Sequence, residues 1–175
     1  MNTKSLVLSA MLLGVGTVLY LVIPGINGGM KPDFLLTMMF IAILLTPTLK
    51  NTVVVGLATG ILSGLFSTFP AGFIPNVIDK AITALVFFGV IVALKSLASK
   101  LVTQAIVTAV GTALSGAIFL ASAIFIMGVE VPFAELYLVV VLPAVALNTV
   151  ALVIIYPIVQ QTLKRTSFKT SLANS

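Results

Sequence analysis

Residues 136–163 read LYLVVVLPAVALNTVALVIIYPIVQQTL, a run from Leu136 to Leu163 that contains no charged side chain. About 20 predominantly apolar residues suffice for a helix to cross the hydrocarbon core of a bilayer, and this stretch is longer than that. A second run of the same kind occupies Leu101–Met127. Toward the N-terminus the pattern recurs at about 5–23, 34–49, 53–69 and 78–97, each run closed by residues that interrupt a helix. Pro24-Gly25 and Asn27-Gly28-Gly29 end the first, Pro47 interrupts the second, and Phe69-Pro70-Ala71-Gly72 ends the third. Six spans result.

Composition agrees with that count. Of 175 residues, 60% are hydrophobic and 7% charged, with mean hydropathy +1.28, whereas soluble domains carry about 25% charged residues. The sequence therefore predicts an all-α integral membrane protein, a single six-helix bundle over residues 1–175 with a polar tail at 164–175, in the cell membrane as a multi-pass protein. The first span is expected to be retained, because it is longer than a signal-peptide core and no small-x-small cleavage site follows it.

An even number of crossings puts both termini on one side. Lys4, Lys50, Lys95, Lys100, Lys164, Arg165 and Lys169 then share that side, while Lys31 and Lys80 lie opposite with the four acids Asp33, Asp79, Glu130 and Glu135. The excess of Lys and Arg on cytoplasmic loops places both termini in the cytoplasm. Scattered singly over short loops, these cations anchor helix ends and form no nucleic-acid patch. The tail cluster Lys164-Arg165 with Lys169 is suited at most to contact with anionic lipid.

Several chemistries are excluded. The chain has no His, no Cys and four acidic residues, so zinc sites, thiol catalysis and Ser-His pairs have no ligands or nucleophiles to use. No G-x-x-x-x-G-K-[ST] phosphate loop is present, and six spans leave no room for a nucleotide-binding domain. Neither a metal nor a cofactor is expected, and no catalytic residue. Any ATP-driven work needs a partner.

Polar residues concentrate on the side opposite the termini. Gly28-Gly29-Met30-Lys31-Pro32-Asp33 sets a cation and an anion about a proline at the mouth of the second span, where Asp33 also answers the helix dipole. In the next loop Pro75 sits at a helix start and Asn76, Asp79 and Lys80 follow at i, i+3 and i+4, sharing one face, with Asp79 and Lys80 expected in the first turn of the fourth span. An amide, a carboxylate and an ammonium gathered at a membrane helix end are costly unless they meet water, each other or a ligand. Asn148, near the middle of the sixth span, needs a partner at that depth, either another helix or a ligand. The aromatics Tyr20, Phe66, Phe69, Phe73, Phe125, Phe133 and Tyr137 crowd the same half, as an interfacial belt or an aromatic-lined pocket would. Ala10 and Gly14 on the first span, and Gly111 and Ser115 on the fifth, are small residues four apart that permit close helix approach.

Three segments together carry a resemblance: Gly29-Met30-Lys31-Pro32-Asp33; Phe69-Pro70-Ala71-Gly72 with Ile74-Pro75-Asn76 and Ile78-Asp79-Lys80; and Leu142-Pro143-Ala144-Val145 with Leu147-Asn148-Thr149 and Tyr156-Pro157. Through them the chain resembles, nearly end to end, the substrate-binding S components of energy-coupling factor (ECF) transporters, and within these the tryptophan-specific branch. The resemblance implies a substrate-capture subunit of an ABC-type importer, taking tryptophan from the exterior. It also implies assembly with an ECF coupling transmembrane subunit and two cytoplasmic ATPases, so the chain itself is no enzyme. Such families dock the coupling subunit through small residues on the first helix, commonly Ala-x-x-x-Ala, where this chain has Ala10-Met11-Leu12-Leu13-Gly14.

A zwitterionic amino acid needs a cation for its carboxylate and an acceptor for its ammonium. Lys31, Lys80, Asp33 and Asp79 offer both, with Asp79, Lys80 and Asn76 the leading candidates. The indole is expected among Phe69 and Phe73, its N–H on an acceptor such as Asn148, because a buried donor left unpaired costs about 1–3 kcal/mol. The competing readings are an S component for a vitamin such as thiamine, riboflavin or biotin, a structural membrane subunit that binds nothing small, and an intramembrane enzyme, for which the chain lacks the apparatus.

Overall fold

Pro47 sets the first helix boundary that can be explained residue by residue. It disfavours the α region at the residue before it, and Thr46 accordingly leaves the helix at φ −136°, ψ 72°. Thr48 then restarts one, its hydroxyl accepting from the Asn51 N–H at 3.4 Å. In the computed structural model, which describes residues 3–23, 32–94 and 97–165, this break separates α2 (Phe34–Leu45) from α3 (Leu49–Leu65). The remaining helices are α1 (Thr3–Val22), α4 (Phe73–Ala93), α5 (Leu101–Phe125) and α6 (Phe133–Arg165). Among the described residues all regular structure is helical.

Four helices, α1, α4, α5 and α6, are long and apolar enough to cross a membrane, and α2 and α3 are shorter apolar helices of 12 and 17 residues. All 12 residues of α2 are buried. A helix apolar on every side belongs inside a bundle, and α2 is enclosed by its neighbours, in contact with α1, α3, α4, α5 and α6. The outer surface is apolar, with Met11, Val22, Val102 and Phe125 among the exposed side chains, while Asn51, Asp79, Lys80, Gln104 and Asn148 are buried. That inversion suits a protein whose solvent is lipid, where interior polar groups must find partners.

The most extensive helix contact joins α3 to α4. A β-carbon placed at Gly56 would lie 2.8 Å from Ala84 Cβ, at Gly60 2.8 Å from Val77 Cα, and at Gly64 2.7 Å from the Phe73 ring. Three glycines four residues apart thus form a smooth strip against which α4 lies backbone to backbone. Ala10 and Gly14 meet no other helix of this chain in that way: Ala10 is exposed and nothing lies within 4 Å of a β-carbon at Gly14.

Several boundaries differ from the apolar runs, α2 ending at Leu45 and α4 at Ala93, each four residues early. α3 starts at Leu49, where Thr48 caps it, and stops at Leu65, so residues 66–72 form the connection to α4. α4 begins at Phe73, five residues ahead of Ile78, because Pro75 fits a first helical turn, where its missing N–H is not needed. Asp79 and Lys80 therefore stand in the second turn of α4, not the first. α6 begins at Phe133 and widens to a π-helical turn at Tyr137–Val141 just ahead of Pro143, with the Leu142 N–H bonded to the Tyr137 carbonyl. Proline has no N–H to continue the ladder and crowds the carbonyl four residues back, and a π turn relieves both.

Candidate functional site

Asp79 and Lys80 face inward at the junction of α4 with α5 and α2. Lys80 Nζ lies 2.7 Å from Asp79 Oδ2, 3.0 Å from Asp33 Oδ2 and 3.2 Å from Ser115 Oγ. An ammonium has three donors, and all three are engaged. Asp79 is equally held: Ser115 Oγ donates to its Oδ2 at 2.8 Å and Thr83 Oγ1 to its Oδ1 at 2.9 Å. The side chains of Asp79 and Lys80 are 0% and 4% exposed, that of Asp33 29%. Two carboxylates around one ammonium give the cluster a formal charge of −1, and its accessible member is Asp33.

Asp33 is also the N-cap of α2, its Oδ1 accepting from the Leu36 N–H at 2.9 Å. Its backbone N–H donates to Asn148 Oδ1 at 2.7 Å, and Asn148 Nδ2 donates to Thr112 Oγ1 at 3.4 Å. One amide thus ties α6 to the start of α2 and to α5. Asn76 is buried in the first turn of α4, where its Nδ2 donates to the Gly72 carbonyl at 2.8 Å. The preceding turn is closed by the Gly72 N–H on the Phe69 carbonyl at 3.0 Å, with Pro70 and Ala71 at its centre and Ala71 at φ +53°. A positive φ after a central proline is the demand of a type II turn.

These groups border a cavity of about 440 Å³, within the range of small-molecule sites. Asp33, Asn76, Asp79, Lys80, Ser115 and Asn148 form its polar side. Its apolar side comes from Phe69 and Phe119, which meet edge to face at 5.2 Å, from Leu36 and Leu120, and from the π-turn region of α6 through Leu136, Val140, Val141, Ala144 and Leu147. Tyr20 of α1, Ser63 of α3, Ser67 and Thr68 beyond it, and Thr112 and Gly116 of α5 also line it. Such a cavity can hold a molecule with a charged head and a flat apolar body. Among the described residues no group of His, Cys, Asp or Glu could hold a metal ion.

Of the residues singled out from sequence, Asp33, Phe69, Asn76, Asp79, Lys80 and Asn148 border this one cavity. Phe73 does not: it is 44% exposed and its ring covers Gly64 on α3. Lys31 lies outside the described residues. Tyr20, one of the aromatics of that half, borders the cavity as well, whereas Ser63, Thr112 and Phe119 carried no expectation from sequence and Ser115 only one of close helix packing. A signal for α5 existed, since Thr112, Ser115 and Phe119 recur at i, i+3 and i+7 on the face that also carries Gly116.

Comparison with known proteins bears on what this cavity holds. Residues 2–164 match the family model described as tryptophan transporter TrpP. A "probable tryptophan transport protein" of Bacillus subtilis (strain 168) is 48% identical over 168 residues, covering 96% of this chain and 97% of that protein. One of the same description from Clostridium perfringens is 40% identical over 175 residues, covering 95% and 96%. A third, from Clostridium acetobutylicum, is 38% identical over 164 residues, covering 94% and 96%. No solved structure matches the chain.

Proposed function

Since this chain belongs to the tryptophan transporter family TrpP, a family of multi-pass proteins of the bacterial cell membrane, we propose that it is the tryptophan-capturing S component of an ECF-type importer. In this reading it crosses the bilayer six times with both termini cytoplasmic, takes tryptophan from the exterior, and leaves ATP hydrolysis to two cytoplasmic ATPases joined through a coupling transmembrane subunit. Ala10 and Gly14, on the exposed face of α1, belong to the surface that meets the coupling subunit.

The observation that carries the reading is the cavity's division into an ionic side and an aromatic side in a chain of this family. Because all three Lys80 donors are occupied, a substrate carboxylate gains Lys80 only by displacing a present partner. Asp33 is the partner that can yield, being partly exposed and independently held by its cap to α2. The zwitterion therefore inserts into the Asp33–Lys80 pair: its carboxylate takes Lys80 and its ammonium takes Asp33. One internal ion pair is exchanged for two with the ligand, so no charge is left buried alone. Asp79, bound to Thr83, Ser115 and Lys80, holds the ammonium of Lys80 in place throughout. Asn76 and Asn148 border the ligand's polar end, and Phe69 with Phe119 packs the indole.

The chain contains no tryptophan, so bound tryptophan is the sole indole in a purified sample. Titration in detergent should give a saturable change in its fluorescence, competed by 5-substituted indole amino acids and not by thiamine, riboflavin or biotin. Binding of one of those vitamins in place of tryptophan would transfer the site to another ligand, and binding of neither would leave a structural subunit.

A further inference from the structure

Serine and threonine hydroxyls inside membrane helices ordinarily bond the carbonyl four residues back, and this chain follows the rule repeatedly. Thr17, Thr37, Thr46, Thr52, Thr59, Thr149 and Thr162 all donate to the i−4 carbonyl at 2.7–3.0 Å. Ser63 does not. Its Oγ is buried and has no hydrogen-bond partner, although the Thr59 carbonyl lies one turn behind it on the same helix. Ser63 also borders the cavity. The other buried hydroxyls there are engaged, Ser115 with Asp79 and Lys80, and Thr112 with Asn148. A buried hydroxyl on a cavity-lining residue, left without a partner, has a bond to give or to receive.

Its position along the bundle shows which end of a ligand it would meet. The glycine strip registers α3 against α4: Gly56 lies against the Lys80 carbonyl, Gly60 against Val77 and the Asn76 carbonyl, and Gly64 against Phe73. Ser63 is seven residues beyond Gly56, about 10 Å along the helix axis at 1.5 Å per residue. It therefore stands near the level of Phe73 and Asn76, displaced from the Lys80 backbone toward the start of α4. The Lys80 side chain leans back toward that same end, as helical side chains do, which shortens the span between its ammonium and Ser63. Asn148, the acceptor suggested by sequence, has its oxygen on the Asp33 N–H within the ionic side.

We propose that Ser63 is a specificity-determining residue whose Oγ accepts the N–H of a bound indole. This assignment rests on the tryptophan reading of the cavity. A heteroaromatic ring held with its head at Lys80 and Asp33 and its face against Phe69 and Phe119 finds in Ser63 the unclaimed buried oxygen on the α3 wall. The hydrogen bond would separate indole from ring systems of the same shape that lack the donor, since an acceptor left unpaired in a closed site discriminates against the analogue without the donor.

The test compares tryptophan with 3-(3-benzothienyl)alanine, which replaces the indole N–H by sulfur, on purified wild-type protein and Ser63→Ala in detergent. Wild type should prefer tryptophan by roughly 10-fold or more, and Ser63→Ala should bring the ratio of the two dissociation constants close to one, chiefly by weakening tryptophan. Ser63→Thr, which restores a hydroxyl, should recover part of the preference. If both affinities fall in parallel in Ser63→Ala, or the ratio is unchanged while wild type binds tryptophan, the assignment is overturned and the tryptophan reading stands. If wild type shows no saturable tryptophan binding, the reading of the cavity fails and the Ser63 assignment with it.

Discussion

The Lys80 ammonium, carried on α4, lies 3.0 Å from the carboxylate of Asp33 at the start of α2. This contact joins two helices distant in sequence at the edge of a cavity, and it links a helix cap to an ion pair. In Asp33, one carboxylate oxygen caps α2 while the other pairs with Lys80, the contact into which the substrate is proposed to insert.

Asp33→Asn separates those two roles. Asparagine is as good an N-cap as aspartate, so the Leu36 N–H keeps its acceptor and thermal unfolding should move little. The partner proposed for the substrate ammonium loses its charge, and tryptophan affinity should fall by roughly 10-fold or more, as charge-assisted bonds of about 1.5–3 kcal/mol imply. Fluorescence titration beside a thermal melt measures both. Wild-type affinity in this variant would remove Asp33 from the site.

Removal of one buried charge should do more harm than removal of two. Lys80→Met leaves the buried Asp79 carboxylate without its cation and should destabilise by about 3–5 kcal/mol. Asp79→Asn combined with Lys80→Met should recover a substantial part of that loss while binding stays abolished. Unfolding midpoints of the two single variants and the double variant in one detergent test this, and additive losses would contradict it.

The glycine strip and the α1 face should respond oppositely to added side chains. Gly60→Ala brings a methyl group against the Val77 backbone, which cannot turn aside, and should cost about 1–3 kcal/mol. Gly14→Leu projects into open space and should leave stability and tryptophan binding intact. If that face meets the coupling subunit as proposed, co-purification of Gly14→Leu with the coupling subunit and the ATPases should be lost, and full assembly would refute the docking role.

Ala71 holds a positive φ of 53° in the turn after α3. An L-residue there is strained by about 1–2 kcal/mol, part of which glycine returns as unfolded-chain entropy. Ala71→Gly should therefore raise stability slightly, by at most about 1 kcal/mol, and Ala71→Val should lower it. Melting temperatures of the two variants should shift in opposite directions.

Helices were legible in the sequence because their causes are local. Apolar runs, Pro47, Pro70 and the glycine turns act within a few residues, and a membrane helix satisfies its own backbone. The shifted start of α3 came from capping, since Thr48 lets the helix begin at Leu49, four residues before the apolar run at Val53, and that of α4 from Pro75 in its first turn. The shared face of Asn76, Asp79 and Lys80 was legible for the same reason, since i, i+3 and i+4 spacing requires only a helix.

What the sequence by itself determined is therefore the helices, their apolar surface and one polar face of α4. Only the tertiary structure decided that Asp33 and Ser115 meet Lys80, that Phe73 covers Gly64 instead of entering the cavity, and that Ser63 is left without a partner beside it. Contacts between helices depend on rotation and register, which are set by how closely two backbones can approach. Here the Gly56, Gly60 and Gly64 strip brings α4 close to α3, and no spacing within one helix reveals which neighbour will lie against it.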